Sequence, residues 1–236
     1  DPFVLPNGEV ICEATTKNSQ RGFLMTIDNA ENSRIKTSIL GKNHLSFPFV
    51  VKHADQLLVM PEMAANGSQV ICELNQAFEI TKVHSLQGLE NDRLIDPVLL
   101  FKDSKWWLFA GKSGNEADHL YLWSRENISD PYVAHRMNPI VIDPSRARNA
   151  GAFFNINNEI FRLGQDNRHD YGDGITVCRV TQLNDMAYDE SPVTRLMIAG
   201  HKGPHTVSTN GSKTYVDYYD KKFSPIAWLA RVKAQF

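Results

Sequence analysis

Five segments of the 236-residue chain share one layout: a marked residue at the head of an apolar strand, a short turn, and a second apolar strand. They are DPFVLPNGEVICEATT, LSFPFVVKHADQLLVMPEMA, IDPVLLFKDSKWWLFAG, NAGAFFNINNEIFRLGQDN and GPHTVSTNGSKTYVDYYD. The head positions are Asp1, Phe47, Asp96, Ala150 and His205, spaced by 46, 49, 54 and 55 residues. Each unit continues into a third strand, over 22–27, 69–74, 119–124, 175–180 and 227–232. A more polar fourth segment closes most units, as at 35–40, 79–84 and 193–199, and the last unit ends after three strands. Four short strands at this period, with no amphipathic helix between them, form the pattern of propeller blades. A β-sandwich would not explain a hairpin recurring at blade length. The expectation is therefore a single all-β domain over 1–236, a five-bladed β-propeller of four-stranded antiparallel blades around a central channel. The chain opens on Asp1 without an initiating Met, so excision from a longer polypeptide is expected.

Several function classes recede on composition. A net charge of −2 and a pI near 6.5 lack the basic excess of a nucleic-acid binder. No apolar run approaches the roughly 20 residues of a membrane-spanning helix. Cys12, Cys72 and Cys178 stand far apart within apolar runs, which suits buried thiols better than a disulfide framework or a zinc site. The three Asn-x-Ser sequences at Asn66, Asn127 and Asn210 are expected to be turns. The eight histidines show no metal-binding helix spacing, and the Gly172-Asp173-Gly174 run has no following helix to cradle a phosphate. Trp106, Trp107 and Trp123 fall in second and third strands, where packing between blades accounts for them.

In a propeller the first strand of each blade lines the channel, and the head of that strand shares a mouth with the end of the second. Buried polar groups are expensive unless paired, so their accumulation at one mouth calls for a reason. The head ring holds Asp1, Asp96 and His205 beside Phe47 and Ala150. The second ring holds Glu13, Glu62, Gly111, Gln165 with Asp166, and Asp217. The two rings predict a polar axial pocket, with Phe47 as a candidate platform for a sugar ring.

The ordered motifs DPFV, HLSFPFV, MPEMAANG, IDPVLL, WWLFAG, LYLWSRENI, NPIVID, ARNAGAFF, GQDNRHDYG and GPHT resemble a propeller module related to family 43 glycoside hydrolases. Within that group the chain resembles the N-terminal domain of glucosamine inositolphosphorylceramide transferases and similar bacterial modules that accompany formyltransferase or glycosyltransferase domains. The resemblance runs over nearly the whole chain. It implies an inverting glycosidase site of three acids, in which acid and base stand roughly 6.5–9.5 Å apart to admit a water. Asp1 matches the position of the base and Asp96 that of the orienting carboxylate. Where the family carries its fourth-blade acid, this chain has Asn149-Ala150-Gly151.

Two expectations follow. Glu62 supplies the missing proton donor, with Glu13 as a second candidate, and the chain is a glycoside hydrolase. Alternatively the pocket binds a glycan without cleaving it, through Arg148, Gln165, Asp166, Tyr171, His205 and Asp217. The partner is then a glycan or sugar-containing small molecule, with a covalently linked transferase domain. No cofactor is expected. An axial calcium ion occurs in some relatives of this kind, but no ligand loop for one is visible here.

Overall fold

The computed structural model describes residues 1–16, 19–28, 30, 32–35 and 44–219. Its sheets follow the chain in order, each an antiparallel meander. The first comprises β1 (Pro2–Val4), β2 (Val10–Thr16), β3 (Ser19–Ile27) and β4 (Ser33–Ile35). The second comprises β5 (Ser46–His53), β6 (Gln56–Glu62), β7 (Val70–Leu74) and β8 (Ile80–Ser85). The third has β9 (Leu94–Lys102), β10 (Lys105–Lys112) and β11 (His119–Arg125), with the short β12 (Val133–Ala134) and β13 (Val141–Ile142) both on β11. The fourth has β14 (Phe154–Ile156), β15 (Glu159–Gln165), β16 (Ile175–Leu183) and β17 (Tyr188–Leu196). A two-stranded sheet of β18 (Val207–Thr209) and β19 (Thr214–Val216) follows.

The architecture is an all-β propeller of antiparallel sheets, with four full blades among the described residues where five were expected. The expected third strand at 227–232 lies outside the described residues, as do 36–40 of the first fourth-strand segment. The outer strand of the fourth blade also differs from the expected 193–199: it begins at Tyr188, whose buried ring anchors it. Sequence pattern misses this start because the strand's exposed, charged face hides its few inward residues.

The inner strands succeed one another around an axis. β1 packs beside β5, and β5 beside β9. Asn149 donates from Nδ2 to the carbonyl of Asp96, linking the third blade to the fourth. Gly151 bridges Val207, and Ser208 Oγ accepts from the amide of Val4, so β18 stands between the fourth blade and the first.

Alternation along the strands fills the spaces between blades. Phe3, Leu24, Phe49, Met60, Ile71 and Trp123 belong to one core cluster spanning the first three blades. Trp107, Phe109, Leu122 and Tyr188 form a second between the third and fourth. Each such side chain contributes about 1.5–3 kcal/mol by leaving water. Trp106, Trp107 and Trp123 are thus packing residues, as their strand positions imply. All three cysteines are unpaired, and burial pushes the Cys72 and Cys178 thiols up to about 12, which makes them inert. Of the two Asn-Gly-Ser sequences, the one at Asn210 forms a turn with Gly211 at φ 90°, whereas Asn66 ends a short 3-10 helix, Ala64–Asn66, that Gly67 caps at φ 74°.

Candidate functional site at the channel mouth

Asp96 and Phe47 occupy the same place in successive blades, each preceding a proline and each with positive φ, 47° and 39°. A following proline disfavours the right-handed helical region. In both blades the pairing with the second strand shifts register at this point, between Phe109 and Gly111 and between Ser46 and Phe49. Such a bulge re-aims a side chain that the pleat would otherwise fix. Left-handed backbone at a non-glycine residue costs roughly 1–2 kcal/mol, so packing and hydrogen bonds must hold it.

At Asp96 those bonds are visible. Arg148 Nε donates to its Oδ2 at 2.6 Å, and Gln165 Nε2 donates to the same oxygen at 3.0 Å. Gln165 also donates to the carbonyl of Asn149 at 2.8 Å. Asn149 donates to the carbonyls of Asp96 and Phe109, at 2.8 and 2.9 Å, while its Oδ1 faces Arg162 at 3.4 Å. Arg162 is fully buried and paired through Nε and Nη2 with Glu190, at 2.7 and 2.6 Å. A buried polar network therefore runs from the fourth blade's interior to the mouth.

Glu62, at the end of β6, completes this group. Its Oε2 accepts from the amide of Asp96 at 3.2 Å. Burial, reinforced by the neighbouring Asp96 carboxylate, pushes its carboxyl up to about 8, against the opposing pull of that amide and of Arg148. Glu62 thus holds its proton at neutral pH, a state suited to donating a hydrogen bond.

A second group lies on the other side of Tyr171. His205 Nε2 is 3.3 Å from Asp1 Oδ1, and its Nδ1 is 3.2 Å from Asp217 Oδ1. Asp217 Oδ1 accepts from the amides of His205 and Thr206 at 2.9 and 2.8 Å, and the Thr206 hydroxyl donates to Asp1. Burial pushes the Asp217 carboxyl up, but His205 and these donors outweigh it and hold the carboxyl below its usual range. The Tyr171 ring joins the groups, with the Arg148 guanidinium 5.0 Å from its centre and the His205 ring at 5.3 Å. Tyr171 is 47% exposed, so it presents an aromatic surface at the mouth.

Asp1, His205 and Asp217 could together hold a metal ion, with ligand atoms within 4.8 Å of one another. The set suits calcium poorly. Calcium takes six to eight oxygens, whereas this group offers one imidazole and two carboxylates, and Asp217 Oδ1 already serves two amides.

The other expected residues stand apart. Asp166 is fully buried and paired with Arg168 and Arg195, at 2.7 and 2.9 Å, where it clamps its own loop. Glu13 lies toward His44, its Oε1 3.7 Å from the imidazole Nε2. Phe47 is fully buried with its edge on Phe3, ring centres 5.0 Å apart, and offers no open face to a sugar. Asn149 and Thr206 were missed as site residues. The signal for Asn149 was present, since it sits in the Asn-Ala-Gly run where an acid was expected.

The model of the family described as "Glucosamine inositolphosphorylceramide transferase 1, N-terminal" matches residues 14–233. The chain belongs to this family. Among curated relatives, a glucosamine inositolphosphorylceramide transferase 1 of Oryza sativa subsp. japonica is 30% identical over 207 residues, covering 82% of this chain and 27% of that protein. The transferase of the same name from Arabidopsis thaliana is 28% identical over 186 residues, covering 76% and 23%. The chain thus spans about a quarter of the length of these relatives. Among solved structures, the catalytic domain of a Coprinopsis cinerea family 62 α-L-arabinofuranosidase superposes with a TM-score of 0.63 at 15% identity, covering 88% of this chain and 75% of that one. A thermostable family 43 glycoside hydrolase gives 0.58 at 9%, covering 85% and 76%. At these identities the likeness shows a shared propeller fold. No helix among the described residues is long and apolar enough to cross a membrane.

Proposed function

We propose that the chain is a non-catalytic glycan-recognition propeller that works beside a glycosyltransferase domain of the same polypeptide. The carrying observation is the fourth-blade head position, where Ala150 is a buried methyl group with no proton to give. The Oδ2 of Asp96 accepts from both Arg148 and Gln165, which orients that carboxylate for a ligand. Arg148, Tyr171, His205 and the protonated Glu62 then supply donors and an aromatic surface for a sugar-bearing ligand. The transferase names of the relatives support the linked domain. In the same reading 1–236 is one domain, and the β18–β19 hairpin opens a fifth blade whose inner strand already lies between the fourth and first blades.

One observation favours hydrolysis instead: Glu62 keeps a proton near neutral pH, as a general acid must. Asp1 would be the base. The test is to present the chain, Asp96→Asn and Glu62→Gln with a panel of glycans and aryl glycosides, measuring binding and turnover together. The recognition reading expects binding, weakened in Asp96→Asn, with no product anywhere on the panel. Turnover abolished by Glu62→Gln would replace it with the hydrolase.

A further inference from the structure

Away from the mouth, the end of β11, the loop to β12 and the turn between β16 and β17 enclose a pocket of about 440 Å³. Its lining shares no residue with the axial cluster. Lys105, Arg125 and Arg136, His135, and the carboxylates of Glu126, Asp130 and Asp185 supply its charged and titratable groups.

Arg125 is the anomaly. It is only 4% exposed, and its Nε and Nη2 are buried without a hydrogen-bond acceptor. Arg146, Arg148, Arg162, Arg168, Arg179 and Arg195 each stand against a carboxylate. Arg125 does so with none among the described residues, and its guanidinium is instead stacked 4.2 Å over the Tyr132 ring. The buried Tyr132 side chain is the guanidinium's nearest partner, and Asp130 lends it a more distant negative charge. A desolvated cation out of contact with its counter-charge, Asp130, is expensive, and stacking offsets only part of that. The two unpaired atoms, Nε and Nη2, form one edge of the guanidinium fork, and both are shut from water as the side chain now lies. That is the edge with which Arg162 holds both oxygens of Glu190. It matches two oxygens of a carboxylate or phosphate.

The neighbours leave room for such a group. Arg136 donates to the Met186 sulfur at 3.5 Å and meets no carboxylate among the described residues. Lys105 already neutralises Asp185 at 2.7 Å. His135 is held by the carbonyl of Asn184 and the amide of Met137. Asp130 is occupied by the amide and side chain of Asn127. We propose that this pocket is an oxyanion site, in which Arg125 swings its unpaired, now buried fork onto a phosphate or carboxylate group and Arg136 closes over it. The site stands independently of the axial reading.

The test is thermal melting of the full chain in inorganic phosphate, in acetate and in chloride at matched ionic strength. At tenfold the dissociation constant the binding anion raises the melting temperature by roughly 3–5 °C over chloride. The phosphate and acetate arms identify which oxyanion the pocket takes. Arg125→Met, which removes the unpaired charge, abolishes the response and melts no lower than wild type without anion. Arg136→Gln, an exposed change that leaves the core intact, weakens it severalfold. Asp130→Asn strengthens it, because a like charge leaves the rim. Equal melting in all three salts overturns the proposal. So does an anion response that survives in both arginine variants, or an Asp130→Asn variant that melts lower and responds no better, which makes Asp130 the partner of Arg125.

Discussion

Arg148 of the fourth blade donates through Nε to Asp96 of the third at 2.6 Å, and with Gln165 it ties the mouth's central carboxylate to the neighbouring blade. Asp96 is almost wholly buried, whereas Arg148 keeps part of its side chain in water. Removing one partner of a buried pair strands the other. Arg148→Met is expected to destabilise by about 3 kcal/mol, toward the lower end for such pairs because of that exposure. Urea unfolding measures it. The Arg148→Met/Asp96→Asn double variant should lose less than the two single changes combined.

Much of this arrangement was legible in the sequence, and for a physical reason. The repeat at 46 to 55 residues places Asp96, Glu62, Gln165, His205 and Asp217 at equivalent strand ends, and strand ends of one polarity converge on one mouth. Repeat position does not say which way a side chain faces beyond the pleat. Phe47 shares the left-handed backbone of Asp96, yet turns into the core against Phe3. Asp166 follows Gln165 by one residue and therefore takes a different partner set, Arg168 and Arg195. Asn149 acts through carbonyls of a neighbouring blade, and such partners carry no sequence signal.

Glu62 predicts a pH dependence with a definite sign. Burial and the Asp96 carboxylate push its carboxyl up to about 8 in the folded chain, from an ordinary value of 4.5. Between those values the folded chain holds a proton that the unfolded chain has released. The contribution of this group is fully present below pH 4.5 and is lost as pH rises toward 8. Glu62→Gln removes that slope. Relative to wild type the variant gains up to a few kcal/mol by about pH 9, measured by urea unfolding across pH. A constant difference between the two proteins at every pH contradicts the assignment.

Asn149→Ala strips donors from the carbonyls of Asp96 and Phe109 and an acceptor from Arg162. Leaving a buried group unsatisfied costs roughly 1–3 kcal/mol, so a loss of about 3 kcal/mol is expected for the set. Glycan affinity should fall with it, since Asn149 also fixes the backbone at Asp96. Calorimetric titration checks the second effect separately.

Gly151 has φ 139°, and a Cβ there would overlap the carbonyl oxygen of Val207. Gly151→Ala therefore strains its own backbone and pushes β18 from the fourth blade, for a loss of more than about 2 kcal/mol. Gly67→Ala is the control. Its φ of 74° carries a similar backbone preference, but nothing lies within 4 Å of the added methyl, so about 1 kcal/mol is expected. Thermal melting of the two variants compares them.

The most direct test of the recognition reading is one titration of a binding glycan into the chain, followed by proton NMR. The account predicts that the Arg148 guanidinium and Gln165 amide resonances shift, while the anomeric signals of the sugar remain those of the intact glycan. New reducing-end anomeric signals that disappear in Glu62→Gln, or binding that leaves both side chains unperturbed, would contradict it.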